Sequence, residues 1–175
     1  MCGISGELRF DGQRPDRVAM QAMLAKLERR GPDNEGSYFK DALALGHRRL
    51  SIIDLSERSN QPMLDDEHEL SLVFNGTIYN YPALRKELQL IGHTFKSEGD
   101  SEVILKAYAE WGVKCLQRLH GMFAFAIWDN RNKKLFIARD RVGIKPLYFS
   151  LNQNRLLFAS TTQAILAGDE SIGHE

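Results

Sequence analysis

Residues 122–128 read MFAFAIW, seven consecutive apolar side chains. Neighbouring side chains of a strand point to opposite faces, so a strand made of this run is apolar on both. Such a strand must be covered above and below, which predicts a layered sandwich rather than a sheet with one wet face. The run falls far short of the ~20 apolar residues that a membrane-spanning helix needs. Gly121 leads into it, and Asn130-Arg131-Asn132 supplies turn chemistry before a second strand over 134–139, so the pair reads as a hairpin.

The remaining elements fit around that pair. A short strand is expected over 2–10, and an amphipathic helix over 16–28 carries Val18, Met23, Leu24 and Leu27 at helical spacing until Gly31-Pro32 stops it. Strands follow over 36–39 and 42–53, the second bending near Arg48-Arg49. A strand over 69–74 is halted by Asn75-Gly76. Helices are expected over 82–90, with Gly92 as its stop, and over 101–111, with Asp100 or Ser101 as N-cap. A last hairpin joins 147–150 to 155–159, and a helix covers 161–167. Strands in antiparallel pairs with helices grouped between them indicate an α+β fold rather than regular βαβ alternation.

A chain of 175 residues makes one domain, 1–175, and 26% charged against 43% hydrophobic residues excludes a disordered chain. Its 23 basic and 23 acidic residues cancel, with no basic block, so nucleic acid is not an expected partner. No membrane span and no leader pattern is visible, and Cys2 and Cys115 make no disulfide framework, so a cytoplasmic location is expected.

Chemistry begins at Met1-Cys2-Gly3. Removal of an initiator Met before a small residue is common, and the new terminus would carry a thiol beside its own α-amine. An α-amine has a pKa of about 7.7–8.0, so it can serve as the base for its own side chain. The plain alternative is a frayed end with an incidental Cys. Arg48 and Arg49 point to opposite faces of a strand, so one can meet a carboxylate, or both can sit on a solvated edge. Asn75-Gly76 reads first as a hairpin turn, and otherwise as a two-donor oxyanion hole. Asp100 reads as a helix cap or as a partner for a substrate ammonium. His47, His68, His93, His120 and His174 form no metal-ligand spacing with either Cys, so no metal is expected. Cys115 lies in an apolar stretch and reads as a core thiol.

Taken in order, these segments carry a resemblance. MCGI at the start, Arg30-Gly31-Pro32-Asp33, His47-x-Arg49-Leu50-Ser51-Ile52, Asn75-Gly76-x-Ile78-Tyr79-Asn80, Gly99-Asp100-x-Glu102, Gly121-Met122-Phe123-Ala124-Phe125 and the RDRVGIKPLY run from Arg139 to Tyr148 are similar to the class II glutamine amidotransferase domain of the asparagine synthetase family. The match covers roughly residues 1–167. The stretches GELRFDG and GHRRLSIIDLSERSNQPM most resemble the N-acetylglutaminylglutamine amidotransferases within it.

The resemblance implies an N-terminal nucleophile hydrolase fold, a four-layer αββα sandwich of two antiparallel sheets. It implies hydrolysis of L-glutamine to glutamate and ammonia through a thioester on Cys2. Asn75 and Gly76 would form the oxyanion hole and Arg49 would take the α-carboxylate. Leu50, Ser51, Ile52 and Ile53 would shape the pocket, and Asp100 would take the α-ammonium. Thr77 departs from the family's Asn-Gly-Glu and removes a carboxylate from beside the substrate.

Family members continue into a synthetase domain that uses ATP and Mg²⁺. Its Ser-Gly-Gly-x-Asp-Ser loop is absent from this chain, as is any other phosphate-cradling loop, so neither cofactor is expected here. The expected partners are L-glutamine and a synthetase domain or subunit, with a homodimer left open. Two readings compete with a working glutaminase. One is the same fold with weakened catalysis, acting as a regulatory or interaction module. The other is an unrelated cysteine hydrolase with His47 as base.

Overall fold

The structure, a computed structural model, describes residues 1–53 and 55–169; Asp54 and the last six positions of the expected domain, His174 among them, lie outside the described residues. Two antiparallel sheets make its centre. The first has five strands in the order β2-β3-β1-β9-β8, from β1 (Gly3–Arg9), β2 (Asn34–Lys40), β3 (Leu43–Arg49), β8 (Tyr148–Leu151) and β9 (Arg155–Ala159). The second has four, in the order β4-β5-β6-β7, from β4 (Met63–Asp65), β5 (Leu70–Ile78), β6 (Gly121–Asp129) and β7 (Lys134–Arg139).

Side-chain alternation stacks the layers. On β6, Ala124, Ala126 and Trp128 face the other sheet and pack with Val73, Ile4, Leu43, Leu45 and Phe158. Phe123, Phe125 and Ile127 face the opposite way, onto α2 (Tyr81–Leu90) and α3 (Asp100–Trp111). The first sheet repeats the pattern: Ala44, Leu157 and Ala159 look out onto α1 (Arg17–Leu27) and α4 (Thr162–Gly168). The order helix, sheet, sheet, helix is the expected αββα sandwich. Trp128 and Phe158 fill the space between the sheets, and Phe123 and Phe125 pack on the helix side of β6. Buried Cys115 belongs to that outer core, and burial pushes its thiol up to about 11.

Local chemistry sets the element ends. Asp16 caps α1, its Oδ1 accepting from the Val18 N–H at 2.7 Å. Thr161 caps α4 in the same way, accepting from Ala164 N–H at 3.2 Å. Gly92, with φ of 105°, follows α2 in the left-handed region that glycine tolerates.

Three expectations fail. Asn75-Gly76 is no turn: β5 runs through it to Ile78, paired residue by residue with β6 from Leu70↔Asp129 to Ile78↔Gly121. The glycine serves close packing, since a Cβ there would lie 2.7 Å from Phe123 Cα and 2.8 Å from the Phe74 ring. Asp100 does not cap α3; Gly99 holds that position, and the Asp100 carboxylate accepts from the Ile78 N–H at 2.9 Å. The second long strand stops at Arg49 instead of continuing to residue 53. The short β4 has too few residues for its alternation to show in the sequence.

Candidate active site

Cys2 stands just before β1. Antiparallel pairing sets Gly3 opposite Arg48, which brings Cys2 against the end of β3. The Leu50 N–H donates to Cys2 Sγ at 3.4 Å, and Sγ lies 3.6 Å from the Leu50 carbonyl oxygen. Arg30 Nε donates to the Cys2 carbonyl at 3.1 Å, anchoring the start of the chain. Burial lowers the Arg30 pKa from its ordinary value, and the charges of Cys2 and Tyr148 push the other way. The frayed-terminus reading therefore fails: Cys2 has fixed neighbours on two sides.

A cavity of about 440 Å³ opens beside the sulfur. That volume lies within the usual range for small-molecule sites. Arg49 enters it from the end of β3, with Nη1 donating to the Ser56 carbonyl at 2.9 Å and to Asn60 Oδ1 at 2.7 Å. Arg48 points the other way, pairing with Glu35 and donating to the Leu24 carbonyl at 3.2 Å. Leu50, Ile52 and Ile53 line the mouth. Asn75, Gly76 and Thr77 reach the cavity from β5 in the other sheet, and Asp100 reaches it from the first turn of α3. Ser51 is the exception among the expected residues: it does not line the cavity, and its N–H donates to Asp33 Oδ2 at 2.8 Å.

Two polar groups stand out. Asn75 is 1% exposed, and its Nδ2 has no hydrogen-bond partner among the described residues. A buried amide donor left open beside a cavity is placed to meet an acceptor that enters it. Asp100 is 5% exposed, and burial raises its carboxyl above the ordinary range against the N–H groups that bond to it. An incoming ammonium would offset that cost.

Other cavity residues went unassigned in the sequence. Gln61 ties β5 to α3 below the cavity, accepting from the Phe74 N–H at 2.6 Å and donating to Ser101 Oγ at 3.3 Å. Lys145 also lines it, carried by the RDRVGIKPLY segment. That segment folds on its own charges: Arg139 donates to the carbonyls of Lys145 and Gly143, each at 2.6 Å, and Asp140 accepts from the N–H groups of Phe123, Ile144 and Lys145. The motif was visible in the sequence, but the direction of Lys145 depends on this loop.

His47 is no base for Cys2. It is fully buried, its Nε2 lies 3.2 Å from the Phe74 carbonyl, and burial pushes its pKa down to about 3. It is not among the cavity residues. Asp65, Glu67 and His68 could gather around a cation, with ligand atoms within 4.8 Å of one another. The Lys106 ammonium already sits there, 2.9 Å from Asp65 Oδ2, so the group reads as an ion-paired knot. A second cavity, of about 410 Å³ beside Arg141 and Val142, shares only Ile144 with the first and contains none of the expected site residues. Among the described residues no helix is long and apolar enough to cross a membrane.

The sequence matches the family described as glutamine amidotransferase domain over residues 1–173. It is 40% identical over 172 residues to asparagine synthetase [glutamine-hydrolyzing] 3 of Bacillus subtilis, covering 95% of this chain and 28% of that protein. It is 39% identical over 188 residues to putative asparagine synthetase [glutamine-hydrolyzing] 2 of Methanocaldococcus jannaschii, covering 97% of this chain and 36% of that one. The chain thus spans about a third of the length of these relatives, or less. Among solved structures, glutamine phosphoribosylpyrophosphate amidotransferase from B. subtilis superposes with a TM-score of 0.79 at 22% identity, covering 95% of this chain and 43% of that one. At that identity the likeness is one of fold.

Proposed function

The chain belongs to the glutamine amidotransferase domain family, and from that premise we propose that it hydrolyses L-glutamine to glutamate and ammonia through a thioester on Cys2. The observation that carries this reading is the open Asn75 Nδ2, a buried donor lining the same cavity as the Cys2 sulfur. Arg49 takes the α-carboxylate of glutamine and Asp100 takes its α-ammonium, which fixes a zwitterion at both ends. The side-chain amide then lies toward Cys2.

With Met1 removed, the Cys2 α-amine takes the thiol proton and the sulfur attacks the amide carbon. The carbonyl electron pair moves to oxygen, where Asn75 Nδ2 and the Gly76 N–H hold the negative charge. The protonated amine returns its proton to the departing nitrogen, the carbon–nitrogen bond breaks, and ammonia leaves. Water then attacks the thioester, releasing glutamate and restoring the thiol. These steps draw on groups of this chain alone. ATP and Mg²⁺ belong to the amidation that uses the ammonia, carried out by a synthetase domain or subunit, as the length and names of the relatives support. The stretches GELRFDG and GHRRLSIIDLSERSNQPM support a place near the N-acetylglutaminylglutamine amidotransferases.

Thr77 favours a second reading, a regulatory module with weakened catalysis, because it lines the cavity where family members carry Glu. Intact-mass analysis after incubation with 6-diazo-5-oxo-norleucine, together with ammonia release from glutamine, separates the two. The glutaminase reading expects loss of Met1, one label on Cys2, and turnover that falls about 10²–10³-fold in Asn75→Ala. Retained Met1, or a label confined to Cys115, overturns it. Labelling of Cys2 without turnover selects the module.

A further inference from the structure

Buried charges in proteins are paired, because an ammonium taken from water without a counter-ion is costly. Lys145 departs from that rule. It is 6% exposed and lines the cavity beside Cys2. Among the described residues its Nζ has a single partner, the Met1 thioether sulfur at 3.4 Å. A thioether is a weak acceptor. The main chain of this loop has other anchors. The Lys145 N–H donates to Asp140 Oδ2 at 3.0 Å and its carbonyl accepts from Arg139 Nε at 2.6 Å, so the main chain is fixed without it.

Met1 is the residue whose removal the glutaminase chemistry requires. Its loss takes away the acceptor of Lys145 and creates an α-amine at Cys2. Among the described residues, the charged side chains lining the cavity are then Arg49 at the end of β3, Asp100 on α3 and Lys145 on the loop after β7, while Arg30 holds the Cys2 carbonyl from behind. Glutamine brings one carboxylate and one ammonium, which Arg49 and Asp100 take. Lys145 is left over, and the remaining negative charge in the cycle arises at the reacting end.

We propose that Lys145 is a positioning residue for the nucleophile: once Met1 is gone, its ammonium adds to the Arg30 guanidinium the positive charge that favours a free α-amine and an anionic sulfur at Cys2. A like charge nearby disfavours the protonated amine, and an opposite charge favours the sulfur anion. The inference rests on the glutaminase reading.

The test compares the parent chain, freed of Met1 as checked by intact mass, with Lys145→Met and Lys145→Arg. The rate of Cys2 alkylation by iodoacetamide is read against pH, alongside kcat and KM for glutamine. Lys145→Met is expected to move the alkylation midpoint up by about one pH unit and to lower kcat about tenfold, with KM changed less than about threefold. Lys145→Arg is expected to restore most of both. An unmoved alkylation profile overturns the inference, and so does a change in KM alone, which would make Lys145 a substrate contact. If Lys145→Met fails to fold, Lys145→Arg decides: a retained profile and kcat support the role, and loss of both overturns it. A parent chain without label or turnover takes down the glutaminase reading and this inference with it, whereas a working parent with an indifferent Lys145→Met removes this inference alone.

Discussion

Thr77 lines the cavity with a neutral hydroxyl, so among the described residues Asp100 is the carboxylate placed there to meet an ammonium. Thr77→Glu is expected to restore a charge-assisted contact of about 1–2 kcal/mol and to lower the glutaminase KM about 5–30-fold. Steady-state kinetics check this, and an unchanged KM would count against it. Asp100 itself carries a cost. Burial raises its pKa, so its contribution to stability is complete in acid, where the carboxyl is protonated folded and unfolded alike, and is lost as pH rises through the raised folded value. Asp100→Asn keeps an oxygen for the Ile78 N–H and is expected to unfold at a higher temperature near neutral pH, with the difference closing in acid. The same variant should bind glutamine worse, and in the parent chain KM should climb as acid protonates Asp100. Melting curves and KM measured across pH would show both trends; a parent melting above the variant at neutral pH would refute the first.

At the scale of elements, β5 shows what a dipeptide cannot reveal. Asn-Gly is a strong hairpin signal because both residues tolerate positive φ. Here nothing turns back: Asn75 and Gly76 pair with Ala124 and Phe123 of β6, more than forty residues onward, and Gly76 provides closeness instead of a turn. Gly76→Ala would force a methyl against Phe123 Cα and the Phe74 ring. Overpacking of this kind costs about 1–3 kcal/mol, which lowers Tm by roughly 3–10 °C in a domain of this size. Calorimetry decides it, and a variant as stable as the parent would mean that β5 and β6 can separate freely. The FAFAIW strand is the opposite case. Its two apolar faces were visible in the sequence, and each found a layer to cover it.

For the whole molecule, the sandwich puts the site where both sheets and a helix end meet. Cys2 and Arg49 come from the five-stranded sheet, Asn75 to Thr77 from the four-stranded one, and Asp100 from α3. Neither sheet alone holds the terminal thiol, the open donor and both charges. The 175-residue chain is therefore expected to release ammonia from glutamine without ATP, and to form neither AMP nor pyrophosphate when ATP and a carboxylate acceptor are added. Coupled glutamate detection and nucleotide chromatography would test this; pyrophosphate formation by the chain alone would contradict it.

Local order was enough to set the class of fold and to nominate candidate residues for the site. Alternation along β6 demanded layers, and the residues at positions 2, 49, 75 and 100 carried recognisable chemistry in the linear chain. Only the folded molecule decided that Asn75 keeps an open donor, that Asp100 takes the Ile78 N–H instead of capping its helix, that Ser51 turns to Asp33, and that Lys145 is buried at the cavity that Cys2 lines. Periodicity is a property of neighbours in sequence. Burial and pairing are set by strand register between segments tens of residues apart, and those terms decide which polar atoms are left for a substrate.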